Sequence, residues 1–154
     1  MRVLLGLLVC MSLGSCSKGQ VCTEIGCTSG VKISLEKATA WAPGQYSFVF
    51  DLDGVAVNCS GALPLKNCEA GASLVCDVAE RLQVGEVGCA LGPAEQGFGD
   101  IQIFGAPRAV TFKLVKDDAP LHEARLAPQY ATRRPNGADC PPECSNASER
   151  VVLP

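Results

Sequence analysis

The side chains able to do chemistry here are few and poorly matched to one another. His122, in Leu121-His122-Glu123, is the single histidine in 154 residues. One imidazole rules out His-pair metal sites and leaves every familiar nucleophile and base arrangement depending on that residue. No serine occupies a Gly-x-Ser-x-Gly elbow, so His122 reads as a surface residue near a strand start rather than as a base. Asp51 and Asp53 form an Asp-x-Asp-Gly run, the opening of a calcium loop, but no ligand stands at the fifth position and Ala62 occupies the twelfth, where a bidentate Glu is required. Asp53-Gly54 therefore reads as a tight hairpin turn, and Asp117-Asp118 as turn initiation before Pro120. Paired carboxylates for glycoside hydrolysis would also want sugar-stacking aromatics. Trp41, Tyr46 and Tyr130 are the only Trp and Tyr residues. Tyr46 falls on a core-facing strand position, and Trp41, between Ala40 and Ala42, reads as a lid on the core, with loop exposure as the alternative.

At the N-terminus Arg2 precedes an apolar stretch from Val3 to Leu13, which then gives way to small residues and Cys16. The layout is that of a secretory leader. It is short of the roughly 20 apolar residues that a membrane-spanning helix needs. Leu13-Gly14-Ser15-Cys16 resembles the lipobox of bacterial lipoproteins. That resemblance implies cleavage before Cys16, a diacylglycerol on its sulfur and a usually acylated amine, so residues 1–15 would be the signal peptide. More than one acyl chain suffices for stable anchoring, at about 0.8 kcal/mol per buried methylene. Ser17 stands where the enteric-type sorting signal has an Asp, which implies delivery to the outer membrane, facing the periplasm or the cell surface. Simple secretion, with Ser12 and Gly14 framing the cut, is the alternative.

With Cys10 removed in the leader and Cys16 used for lipid, Cys22, Cys27, Cys59, Cys68, Cys76, Cys89, Cys140 and Cys144 remain. An even set in an exported chain is most simply a disulfide framework, whose connectivity a sequence cannot dictate. The short spacings suggest local Cys22/Cys27 and Cys140/Cys144 staples, leaving Cys59, Cys68, Cys76 and Cys89 to bond among themselves. The competing reading puts zinc between Cys22-x4-Cys27 and Cys140-x3-Cys144. Export into an oxidising compartment opposes it.

These residues need elements to position them, and after Gly30 the dominant period is two. Val31, Ile33 and Leu35 alternate with Lys32, Ser34 and Glu36, and Tyr46, Phe48, Phe50 and Leu52 repeat the pattern. Asp53-Gly54 followed by Val55, Val57 and Cys59 completes a hairpin. Similar runs cover 82–91, 98–104 and 110–115, with weaker ones at 73–78, 123–127 and 150–153. Only 70–81 offers a helical stripe, weakened by Gly71 and Cys76. Turn residues such as Pro43-Gly44, Gly92-Pro93 and Pro135-Asn136-Gly137 punctuate the runs. The expectation is an all-β, disulfide-stapled sandwich of about seven to nine strands over 31–154. Residues 16–30 would be the lipidated cysteine and a short tether; the fifteen steps from Cys16 to Val31 reach at most about 50 Å.

The strand Gly44-Gln45-Tyr46 with its Asp-Gly turn, and the late Pro135-Asn136-Gly137 to Cys140-Pro141-Pro142-Glu143-Cys144 element, are similar to poorly characterised bacterial lipoproteins with immunoglobulin- or transthyretin-like sandwiches. The resemblance spans about 31–153 in style and carries no functional residue across. Loss of Arg2 with the leader leaves 12 basic against 16 acidic residues. Arg133-Arg134 is the only adjacent basic pair and has no aromatic ladder, so nucleic acid is not an expected partner. Asn58-Cys59-Ser60 and Asn146-Ala147-Ser148 match the glycosylation sequon, in a cell type where the lipobox implies that pathway is generally absent. The expected protein is thus non-enzymatic, without cofactor or metal, attached to the membrane through Cys16, and either binds an envelope or extracellular protein or supports the envelope. Trp41 and Glu143 are its candidate binding-loop residues. The alternatives are an inhibitor of secreted hydrolases presenting loop 139–145, and a small carbohydrate-active module.

Overall fold

Alternating apolar and polar residues bury one face of an extended segment, so such segments must pair edge to edge and then face a second layer. A computed structural model describes residues 21–154; the leader, Cys10 and Cys16 lie outside the described residues. The strands are β1 (Gly30–Lys37), β2 (Gly44–Leu52), β3 (Val55–Leu63), β4 (Leu74–Cys76), β5 (Leu82–Val87), β6 (Gly97–Phe104), β7 (Val110–Lys116), β8 (Ala119–Leu126), β9 (Ala131–Arg133) and β10 (Cys144–Leu153). They form two five-stranded sheets, ordered β5-β6-β1-β10-β9 and β4-β3-β2-β7-β8. The fold is the expected all-β sandwich.

The count is ten strands among the described residues rather than seven to nine. The excess comes from short edges. β9 is three residues long and exposed throughout, so it carries no period for a sequence to display. The helical stripe at 70–81 is instead a bend and the short strand β4, because Cys76 sits directly across from Cys59 on β3. The run at 82–91 stops at Val87, where Gly88 turns at φ 80°.

Neighbouring strands are antiparallel except β1 and β10, which run parallel from Gly30 opposite Asn146 to Lys37 opposite Leu153. The first and last strands therefore enter the fold at the same end. The Asp53-Gly54 turn and the link 105–109 lie at this entry end too, since Ser29 accepts from the Gly105 N–H and Ala109 from the Asp53 N–H. The opposite, far end carries the loop with Trp41 and the Asp117-Asp118 turn, whose Asp117 bonds the Gln45 backbone. Both turns use positive φ at both central residues: 53° and 89° at Asp53 and Gly54, 48° and 64° at Asp117 and Asp118. That is the handedness two-residue hairpins need to match strand twist. Pro120, expected to follow a turn, lies within β8 beside a bulge, a position open to proline because β8 is an edge.

Val31, Ile33, Leu82, Ile101, Ile103 and Val151 of one sheet face Phe48, Phe50, Val57, Phe112 and Leu114 of the other. Phe112 stacks on Phe50 and Phe48 at centroid distances of 5.2 and 6.1 Å. Phe98 meets Phe48 edge-on at 5.1 Å, extending the aromatic row toward the far end. There Trp41 packs T-shaped against Phe98 and Tyr46, so it is the core lid and not an exposed loop residue. Gly97 makes that lid possible: a Cβ there would lie 2.2 Å from the Trp41 ring.

Gly97→Ala is accordingly expected to displace Trp41 and destabilise the domain by about 1–3 kcal/mol, the usual effect of overpacking. Denaturant unfolding followed by Trp41 fluorescence measures it. An unshifted midpoint with a native emission maximum would contradict this packing.

Candidate functional site

The most built feature outside the core is a lobe at the entry end, made of residues 21–29 and 134–145. Its disulfides correct the local pairing expected from spacing. Cys22 bonds Cys140 and Cys27 bonds Cys144, across 118 and 117 residues. The reason is the β1 and β10 partnership, which brings residues 22–27 and 140–144 side by side. The four cysteines of the zinc reading do converge, but as two disulfides. Among the described residues no group of three or more His, Cys, Asp or Glu could hold a metal ion. Cys59–Cys76 and Cys68–Cys89 complete the set within the expected group of four.

Side chains reinforce the lobe. Asn136 accepts from the Ile25 N–H and the Thr23 hydroxyl and donates to the Ile25 and Pro141 carbonyls. Its amide thus pairs with the Ile25 backbone much as a neighbouring strand would. Ser29 accepts from the Ser145 N–H, and the Asn146 amide donates to Thr28. Arg134 donates from Nε to Glu143 at 2.7 Å and from its other arm to the Ala138 carbonyl. Residues 21–29 are therefore part of the domain, and the expected tether through residue 30 is corrected accordingly.

The candidate residues do not assemble into one surface. Glu143 is exposed in the lobe, held by Arg134, while Trp41 closes the core at the far end. His122 sits half-buried on edge strand β8, its ring 6.4 Å from Phe112. Asp51 accepts from the Gly54 N–H, and Asp53 accepts from the Arg108 and Ala109 N–H groups, so both carboxylates serve the turn and its neighbouring link. These bonds from Arg108 and then Ala109 hold the Asp53 carboxyl below the usual carboxylate range. Tyr46 is buried and donates to Ala42, and Tyr130 is half-buried and donates to Pro107. Burial raises both phenols. The acids, aromatics and lone imidazole are thus spent on turns, edges and core.

Three working residues carried no signal in the sequence. Gln96 is buried, accepting from the Leu65 N–H and donating to Leu91, so it links two far-end loops. Glu86 on β5 accepts from the Ser73 and Leu74 N–H groups at β4, bridging the edges of the two sheets. Asn136 reads locally as a turn residue. Its partner lies 111 positions away, and no local pattern could reveal it. No protein-family model, curated protein or solved structure matches the chain.

Two measurements test this geometry. Once one lobe disulfide forms, the other closes only a small ring of roughly nine residues, so deleting either pair by Cys→Ala should cost about 2.5 kcal/mol. Deleting both releases the long loop as well and should cost about 7 kcal/mol, more than the two single-pair losses combined. Additive losses in denaturant melts would show that the staples act independently.

The depressed carboxyl of Asp53 contributes stability that is present above the unfolded aspartate pKa of about 3.9 and lost as pH falls through the lower folded value. Asp77, held by Asn58, and Asp100, held by Lys32, act in the same direction. The melting temperature is therefore expected to fall with pH below about 4, and Asp53→Asn should make that fall shallower. A variant with the same acid slope as the parent would remove Asp53 from the linkage.

Proposed function

We propose that the chain is a lipid-anchored, extracytoplasmic, non-enzymatic binding or envelope-structural module. The observation that carries this reading is complete pairing: all eight described cysteines are in disulfides. Such a framework suits an oxidising compartment, and it leaves Cys16, behind its lipobox-like run, available for acylation. A rigid scaffold in which Asp51 and Asp53 serve a turn and His122 packs near Phe112 favours recognition by shape over turnover. The far-end loops supply the binding surface in this reading. Two of them are fixed by Cys68–Cys89 and by Gln96, which lowers the ordering cost of binding. The inhibitor reading is less favoured: loop 139–145 has Glu143 engaged by Arg134 and lies beside the segment that leads back to Cys16.

Metabolic labelling with a fatty-acid analogue, with intact mass of the membrane-extracted protein, tests the anchor. Cys16→Ala should abolish labelling and the mass increment, whereas Cys10→Ala should process normally. Labelling that survives Cys16→Ala refutes the assignment.

A further inference from the structure

The lobe carries exposed apolar side chains. Val21 is 94 % exposed and Ile25 is 55 % exposed. Val21 adjoins the Cys22–Cys140 disulfide, and the Ile25 backbone is bonded on both its N–H and its C=O by Asn136. Val75, Leu91 and Val152 are comparably exposed to Ile25, so exposure alone singles nothing out; what sets Val21 and Ile25 apart is their place on the segment that leads back to Cys16.

Chain length says what that segment can reach. Among the described residues Cys22 is the first that is cross-linked, and it lies six positions after Cys16. Six residues extend at most about 20 Å, against the roughly 50 Å available had residues 16–30 been a free tether. An acyl chain on Cys16 would therefore hold the entry end within that distance of the bilayer. The charges on the lobe are small in number: Glu24, Asp139 and Glu143 against Arg134, which is bonded to Glu143, with Arg133 of β9 beside it. No strong field of either sign opposes or drives approach to a lipid headgroup layer.

We infer that the lobe of residues 21–29 and 134–145 rests on the lipid surface through Val21 and Ile25, so that the sandwich stands end-on and turns its far-end loops away from the membrane. The inference rests on the lipid anchor proposed above and adds an orientation to it. Lipidation supplies the attachment; the two aliphatic side chains and the rigid lobe set the pose. β1 and β10 run from this lobe toward the far end, so loops at Trp41, Cys68–Cys89 and Asp117 stand a full strand length, about 25–30 Å, above the contact.

The test uses the full-length protein extracted from membranes and reconstituted into phosphatidylethanolamine and phosphatidylglycerol vesicles with or without brominated lipid. Trp41, the sole tryptophan, is the far-end reference. Ile25→Trp and, separately, Val21→Trp add an indole to the lobe, and intact mass and circular dichroism establish lipidation and folding of each. An indole at either position is expected to lose about half its emission in brominated vesicles, as groups seated about 5–10 Å into the headgroup boundary do, while Trp41 emission stays unchanged. A lipidated, folded protein with neither added indole quenched, or with Trp41 quenched instead, overturns the end-on pose while leaving the anchor intact. Absence of the lipid increment overturns the anchor and the pose together.

Discussion

The parallel pairing of β1 with β10 is the contact on which the rest of the molecule depends. Every other neighbouring pair in the two sheets is antiparallel; β1 with β6 and β2 with β7 also join distant runs, but only this pair joins strands more than a hundred residues apart. Closing a loop of that length is entropically unfavourable until both partners bury their inner faces. Val31, Ile33 and Val151 do so against the aromatic row of the opposite sheet. Once the pairing exists, Cys22 and Cys27 lie beside Cys140 and Cys144, and the two long disulfides make it permanent.

A sandwich also has to manage its open edges. Here each edge has a different device. β8 has proline, a bulge and the charged residues Glu123 and Arg125; β9 is three residues long with Arg133 at its end; β4 and β5 are bridged across the sheets by the Glu86 carboxylate. Cys68–Cys89 then ties the loops beyond β3 and β5 together. Polar residues that could have been read as chemistry are thereby accounted for by architecture.

That accounting bears on function. With Asp51, Asp53 and Asp117 bonded at turns and the rings of Phe48, Phe50, Phe98 and Phe112 in the core, the domain has two ends of different character. The entry end is cross-linked, ordered and partly apolar, and it leads directly to the cysteine proposed to bear lipid. The far end presents several loops held by one disulfide and one buried glutamine. Loops on such a scaffold can vary without disturbing the core.

Much of this was legible in the sequence. Alternation at Val31 to Leu35, at Tyr46 to Leu52 and at 98–104 determined strands, because one buried face and one wet face leave a period of two in any half-buried strand. Asp53-Gly54 determined its hairpin, since few residue pairs tolerate positive φ twice. Even cysteine parity pointed to a closed framework. Tertiary structure alone decided which sulfurs meet, that the first and last strands run parallel, that Asn136 and Glu86 complete backbone ladders, and that Gly97 is the residue over which the expected Trp41 lid closes. Each of these depends on residues distant in the chain becoming neighbours. Spacing along a sequence records only local geometry, whereas long-range pairing follows from how two whole apolar faces fit together.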